Sequence, residues 1–200
     1  MKDTKEHILE TAFILFMQKG FKAVTIEDIV AKTEMSKGAF YHYFKSKKDL
    51  FSEVVNDYIL KIMNIDYDKI SHESLKDFYT DLKKVIDIKS AMMHSINLAK
   101  ETGESFNYYW LIFDAMRILP EFKKAFFEIH ENEFRSWIKI ARMAKKSGET
   151  KTKLSDEKVA KLFIYANDGA GMNLILTNNA DNLGKEILAI HNCIYDLLKK

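Results

Sequence analysis

The chain has 200 residues, 47% hydrophobic and 30% charged, a length for one or two domains with enough apolar material for a core. One proline and seven glycines are too few for the tight turns of a β-sandwich or barrel, and a net charge of +2 from 31 basic and 29 acidic residues names no partner by itself. The single cysteine, Cys193, leaves no internal disulfide to form, the amino terminus has no apolar signal core, and the longest apolar run, Ala12 to Met17, is too short to cross a bilayer. An all-α, cytoplasmic protein with no membrane partner is therefore expected.

Periodicity predicts about nine helices and no strand. The first covers residues 4–19, with Ile8, Leu9, Ala12, Phe13 and Phe16 on one side and Gly20 as its stop. A short second helix is capped by Thr25 with Asp28 three residues on, and carries Ile26, Ile29 and Val30 as its stripe. Ser36 opens a third, to Phe44, with Phe40 and Phe44 on one side and Gly38, Tyr41, His42 and Lys45 opposite. Residues 32–48 hold five lysines against one acid, Glu34, which fits either a phosphate-binding surface or a solvated face. Ser46 with Asp49 caps a fourth helix, 47–65, long enough to be a connector. The stripe lapses over 64–71, where a domain boundary is expected, and restarts at Leu75, continuing through Met92, Met93 and Ile96. Gly103 breaks it. Pro120 begins the next helix at its first position, 147–153 form a polar loop, Ser155 opens a helix to about Thr177, and a last helix spans 182–199.

Two short capped helices, the second with an exposed basic face, have the layout of a helix-turn-helix. A plain helical hairpin gains nothing from a face of Gly38, Tyr41, His42 and lysines. The stretch from Thr25 to Leu50, TIEDIVAKTEMSKGAFYHYFKSKKDL, closely resembles the DNA-binding segment of the tetracycline-repressor (TetR) family of bacterial regulators, most specifically from Ser36 to Lys47, and the resemblance covers about residues 6–52. It implies a three-helix helix-turn-helix DNA-binding domain at 1–48, joined by the 47–65 helix to a helical effector-binding and dimerisation domain within 49–200. It also implies that Thr25 holds a phosphate, that Ser36, Lys37, Gly38, Tyr41 and His42 face the major groove or its rim, and that Lys47 grips the backbone. Two positions depart from the family's pattern: Glu34 stands where glycine is usual in the turn, and Lys48 where glutamate is usual. All three arginines, Arg117, Arg135 and Arg142, lie outside 1–48, so bidentate arginine-to-guanine contacts are excluded there and readout falls to Lys37, Tyr41, His42 and DNA shape.

Residues 106–137 concentrate ten aromatics, which either line an apolar effector pocket or fill a core. The pocket reading takes Phe106, Tyr109, Trp110 and Phe113 as walls, with Met92, His94, Asn97 and Arg117 alongside as further wall or polar anchors. Ala166, Gly169 and Ala170 give a small-residue surface which, with Ile187, Ile190 and Ile194 of the last helix, makes either a dimer interface or packing within one subunit. Enzymatic signatures fail: Gly169-Ala170-Gly171 lacks a third glycine, no Walker loop occurs, and no histidine pair has zinc-protease spacing. Glu128, His130, Glu131 and Glu133 read as a solvated face and Cys193 as a buried thiol, so no metal and no cofactor is expected. The expected function is a homodimeric repressor, released from a palindromic operator in duplex DNA by a small apolar or aromatic effector. The competing expectation is a helical small-molecule-binding protein or enzyme with a vestigial helix-turn-helix.

Overall fold

The computed structural model describes residues 4–95, 107–177, 179 and 182–199, and among these it is all-helical, with no strand. The helices are α1 (Thr4–Ala23), α2 (Ile26–Thr33), α3 (Lys37–Tyr43), α4 (Lys47–Val54, continued by a π-helical stretch Val55–Leu60 and a last turn Lys61–Met63), α5 (Leu75–Ser95), α6 (Asn107–Ile118), α7 (Pro120–Lys146), α8 (Asp156–Leu176) and α9 (Leu183–Lys199). Pro120 starts α7 as expected, and Ser155 caps α8 by accepting the Lys158 N–H at 3.3 Å. The predicted break at Gly103 lies outside the described residues.

By packing, the chain divides into two units: the described residues of 1–64 and 96–127, and those of 65–95 and 128–200. The sequence places a domain boundary in the lapse at 64–71, near which this division falls, and limits the expected DNA-binding domain to 1–48, inside the first unit. It could not foresee that α6 joins the amino-terminal helices, because that depends on contacts almost a hundred residues apart.

In the first unit α1 buries Ile8, Ala12, Phe13 and Phe16 against Leu50, Phe51, Val54 and Ile59 of α4 and its continuation. Phe13 stacks on Tyr58 at 4.4 Å and Phe16 meets Phe51 edge-on at 5.1 Å. Gly20 ends the regular run of α1, as expected, and sets a kink before its last residues at φ 73° and ψ 162°, a region that is in practice reserved for glycine. The Phe21 N–H, released by the kink, donates to Asp114 Oδ2 of α6 at 3.0 Å. On the same helix Leu111, Ile112 and Ala115 are buried.

The second unit has its core where α5, α7, α8 and α9 converge. Trp137 is fully buried, stacked on Phe163 at 4.7 Å and edge-on to Phe78 at 4.8 Å. The described aromatics of 106–137 are therefore shared between the two units. Glu149, in the polar loop after α7, accepts the Leu75 and Lys76 N–H groups at 2.8 and 3.1 Å, capping α5. The 128–133 run is not wholly solvated, as the sequence suggests. Glu133 turns inward beside Tyr67, and burial, followed by the Asp168 charge, pushes its carboxyl up to about 7.

His191 is the one fully buried histidine among the described residues, edge-on to Phe163, Tyr79 and Trp137, with neither ring nitrogen in a hydrogen bond of normal geometry. Burial lowers it to about 4. The unfolded chain takes up a proton below the ordinary value of 6.5 that the folded unit refuses until about 4, so His191 removes stability as pH falls through that window, by about 1.4 kcal/mol per pH unit. Glu133 acts in the opposite sense: its folded form holds a proton up to about 7, so stability falls as pH rises from its ordinary 4.5. Chemical unfolding of wild type and His191→Phe across this range should isolate the histidine: relative to wild type, the variant gains stability steadily as pH drops. A constant difference between the two would contradict the neutral, buried imidazole.

Candidate nucleic-acid interface

The caps read from the sequence are in place. Thr25 has extended backbone and accepts the Asp28 N–H at 3.0 Å, while its own N–H and hydroxyl donate to Asp28 Oδ2 at 2.8 and 2.7 Å. The two groups of Thr25 expected to hold a phosphate are thus both engaged by Asp28. Ser36 accepts the Ala39 N–H at 3.1 Å to open α3, and Ser46 accepts the Asp49 N–H at 3.0 Å to open α4. Asp49 returns a bond to the Lys45 N–H at 2.9 Å.

The turn between α2 and α3 resolves the departure at residue 34. Glu34 sits at φ 56° and ψ 27°, the left-handed conformation for which glycine is favoured, and Met35 N–H closes the turn on Val30 O at 3.2 Å. Glu34→Gly should therefore stabilise the first unit by about 0.5–1 kcal/mol, read as a higher urea midpoint at unchanged slope. A destabilised variant would place the residue outside the left-handed region.

α3 has two distinct sides. Phe40 and Phe44 are buried, whereas Lys37, Gly38, Tyr41, His42 and Lys45 are exposed, Tyr41 by 53%. The division follows the helical period, since 40 and 44 are one turn apart and the others fall elsewhere on the circumference. A Cβ built at Gly38 would meet only Ser36 Oγ, at 3.8 Å, so the free protein has room for a methyl there. Lys37 pairs with Glu27 of α2; this hydrogen-bonded pair raises the lysine and lowers the carboxylate, both in open solvent. Exposed Lys32 and Lys48 extend the positive surface. Lys47 behaves otherwise: its ammonium turns inward onto backbone carbonyls, and burial lowers it from its ordinary value.

The remaining sequence-derived residues fall as follows. Trp110, Phe113 and Arg117 lie on the exposed side of α6, 56% and 57% exposed for the two rings, with Arg117 bound to Asp114 at 2.7 Å; Tyr109 is half-buried. Met92 is exposed on α5, in the other unit. Asn97, Phe106 and the side chain of His94 lie outside the described residues. On α8, Gly169 is exposed and Ala166 and Ala170 are half-buried; on α9, Ile190 and Ile194 are half-buried. Ile187 is corrected to a core residue: it shares the buried line Gly184, Ile187, His191, Tyr195 and Leu198. Cys193 is likewise corrected, from buried to exposed, because two residues from His191 is about half a turn around the helix. The sequence reading missed the exposed stripe Leu162, Tyr165, Gly169, Met172 and Leu176, whose three-and-four spacing was visible but was not distinguished from the buried line beside it. On α9, Leu197 is exposed to a similar or greater degree.

Sequence identity to known proteins is highest over the amino-terminal third. Residues 8–54 match the profile described as bacterial regulatory proteins, tetR family. Over 61 residues the chain is 43% identical to the transposon Tn10 TetC protein of Escherichia coli, a match of 30% of this chain and 31% of that protein; the chain spans less than a third of the length of the first curated relatives it matches. Over 183 residues it is 27% identical to IcaR, the negative transcriptional regulator of the biofilm operon icaADBC in Staphylococcus aureus, covering 80% of this chain and 98% of IcaR. A solved transcriptional regulator of the TetR/AcrR family shares the fold with a TM-score of 0.64 at 18% identity, over 95% of this chain and 99% of that one. With the helix-turn-helix geometry and these likenesses together, residues 8–54 match the amino-terminal segment of the tetR family of bacterial regulatory proteins, and the chain shares the fold of TetR/AcrR regulators.

Proposed function

We propose that this protein is a transcriptional regulator that binds duplex DNA as a homodimer, with 1–48 as its DNA-binding domain, and that it represses until a small apolar or aromatic effector releases it. The observation that carries the reading is the two-sidedness of α3: Phe40 and Phe44 anchor it, and Lys37, Gly38, Tyr41 and His42 face outward. In this reading Lys37, Gly38, Tyr41 and His42 meet base edges, and Ser36 stands at the rim of the groove. Thr25 and exposed Lys48, at the starts of α2 and α4, approach the backbone, Thr25 only by exchanging a bond with Asp28. The likeness to a negative regulator supports repression.

The exposed stripe on α8, with Leu197 of α9, is the surface proposed to face a second copy, and two-fold pairing calls for an operator with two inverted half-sites. The effector-binding part of the reading rests on the family likeness and on the exposed aromatic rings of α6, Trp110 and Phe113. The deciding experiment is a footprint on the protein's own upstream DNA combined with a salt titration of the affinity. Protection of a palindrome with affinity falling steeply in salt is expected. No binding to any duplex at low salt would refute the regulator reading and leave a small-molecule-binding protein.

A further inference from the structure

Of the three lysines around the start of α4, two are exposed, Lys45 and Lys48, while Lys47 is folded back. Its Nζ donates to the carbonyl of Phe21 at 2.8 Å and to that of Val24, with the Lys22 carbonyl at 3.5 Å, and it lies 4.5 Å from the centre of the Phe21 ring. An ammonium has three N–H donors, and three carbonyls converge on this one. Those carbonyls belong to the last turn of α1 and the link to α2, where helical bonding runs out and oxygens need outside donors. A positive charge also suits the negative end of a helix. The lysine thus replaces lost hydration with three acceptors and a ring face.

Resting on the DNA-binding reading above, we infer that Lys47 is a positioning residue: it ties the end of α1, the approach to Thr25 and the start of α4 to a single point, so that the two helix starts meet the DNA backbone at a fixed separation, and it gives no contact to phosphate itself. The consequence is a division of labour within one short run of lysines. Lys45 and Lys48 supply mobile charge that DNA exchanges for counterions. Lys47 supplies geometry.

Two readouts test this, with Lys47→Met, which keeps the stem but removes the donors, beside Lys48→Ala. The first is affinity for a mixed-sequence duplex of about 30 base pairs over a series of salt concentrations, well below the melting temperature. Lys47→Met should bind about five- to tenfold more weakly at every salt with an unchanged salt slope, whereas Lys48→Ala should flatten the slope by about one ion. The second needs no DNA: in a Cys193→Ser background, spin labels at Ala31→Cys of α2 and Lys48→Cys of α4 report the spacing of the two helices. That distance distribution should broaden when Lys47→Met is added. A slope lowered by about one ion with an unbroadened distribution would make Lys47 a phosphate ligand and overturn the inference. Unchanged affinity with a broadened distribution would overturn it too, leaving a role in stability alone. If wild type binds no duplex, the DNA-binding reading falls on that control, while the label distances still judge whether Lys47 ties the helices.

Discussion

Gly20→Ala should destabilise the first unit by about 2–3 kcal/mol, a large loss for a change of one methyl group. The cause is not collision, because the nearest atom to a Cβ at this position is Asp114 Oδ2 at 3.7 Å. It is conformational: at φ 73° and ψ 162° an L-residue is strained, and relief by straightening α1 would redirect the Phe21 N–H away from Asp114 and swing the Phe21 carbonyl away from Lys47. Three helices would lose their junction together. Urea unfolding of wild type and variant measures the loss. The sharper control is D-alanine at position 20, placed by chemical ligation, since it carries the same methyl with the opposite handedness. It should be close to neutral, and an equal loss for both hands would mean that space rather than backbone conformation decides.

The second large effect is expected on assembly. Leu162→Lys together with Tyr165→Lys places two charges on the exposed stripe of α8 without touching the core, where Phe163 and Ile164 lie between them on the other side. The variant should fold with near-native stability yet sediment as a monomer, and its affinity for a two-half-site duplex should fall by a factor on the order of a hundred or more, since each half-site then binds alone. Wild-type protein sedimenting as a monomer at micromolar concentration would remove the dimer reading. A variant that remains dimeric would move the interface to another face.

The sequence made legible whatever is decided within a few residues. Thr25 with Asp28, Ser36 and Ser46 with Asp49 are caps because a side chain three residues away is always within reach at a helix start. The inward Phe40 and Phe44 follow from one helical turn. The left-handed residue at 34 was also in view as one of two possible outcomes, since a turn lacking its usual glycine must either carry the strain or change shape. What lay beyond reach was set by distant partners. Lys47 looks like its neighbours until the carbonyls of 21 to 24 are brought beside it, and the inward turn of Glu133 depends on Tyr67. Ile187 and Cys193 lie on different sides of one amphipathic helix, and only the packing of α5 and α8 says which side is interior. The aromatic run at 106–137 shows the same limit: density of rings along a chain does not decide whether Trp137 is sealed in a core or Trp110 is left facing water.

The absence of arginine from residues 1–48 has a chemical consequence apart from base reading. A guanidinium is inert to acyl donors under ordinary conditions, whereas a lysine amine becomes a nucleophile whenever it gives up its proton, and acylation turns it into a neutral amide. The outward positive charge of this segment around α3 resides on the amines of Lys32, Lys37, Lys45 and Lys48, all open to solvent. Such a surface can be discharged covalently and in graded steps, one amine at a time. The amine of Lys47, turned inward onto carbonyl oxygens, is set apart from that chemistry by poorer access to a reagent and not by a firmer hold on its proton, which burial loosens.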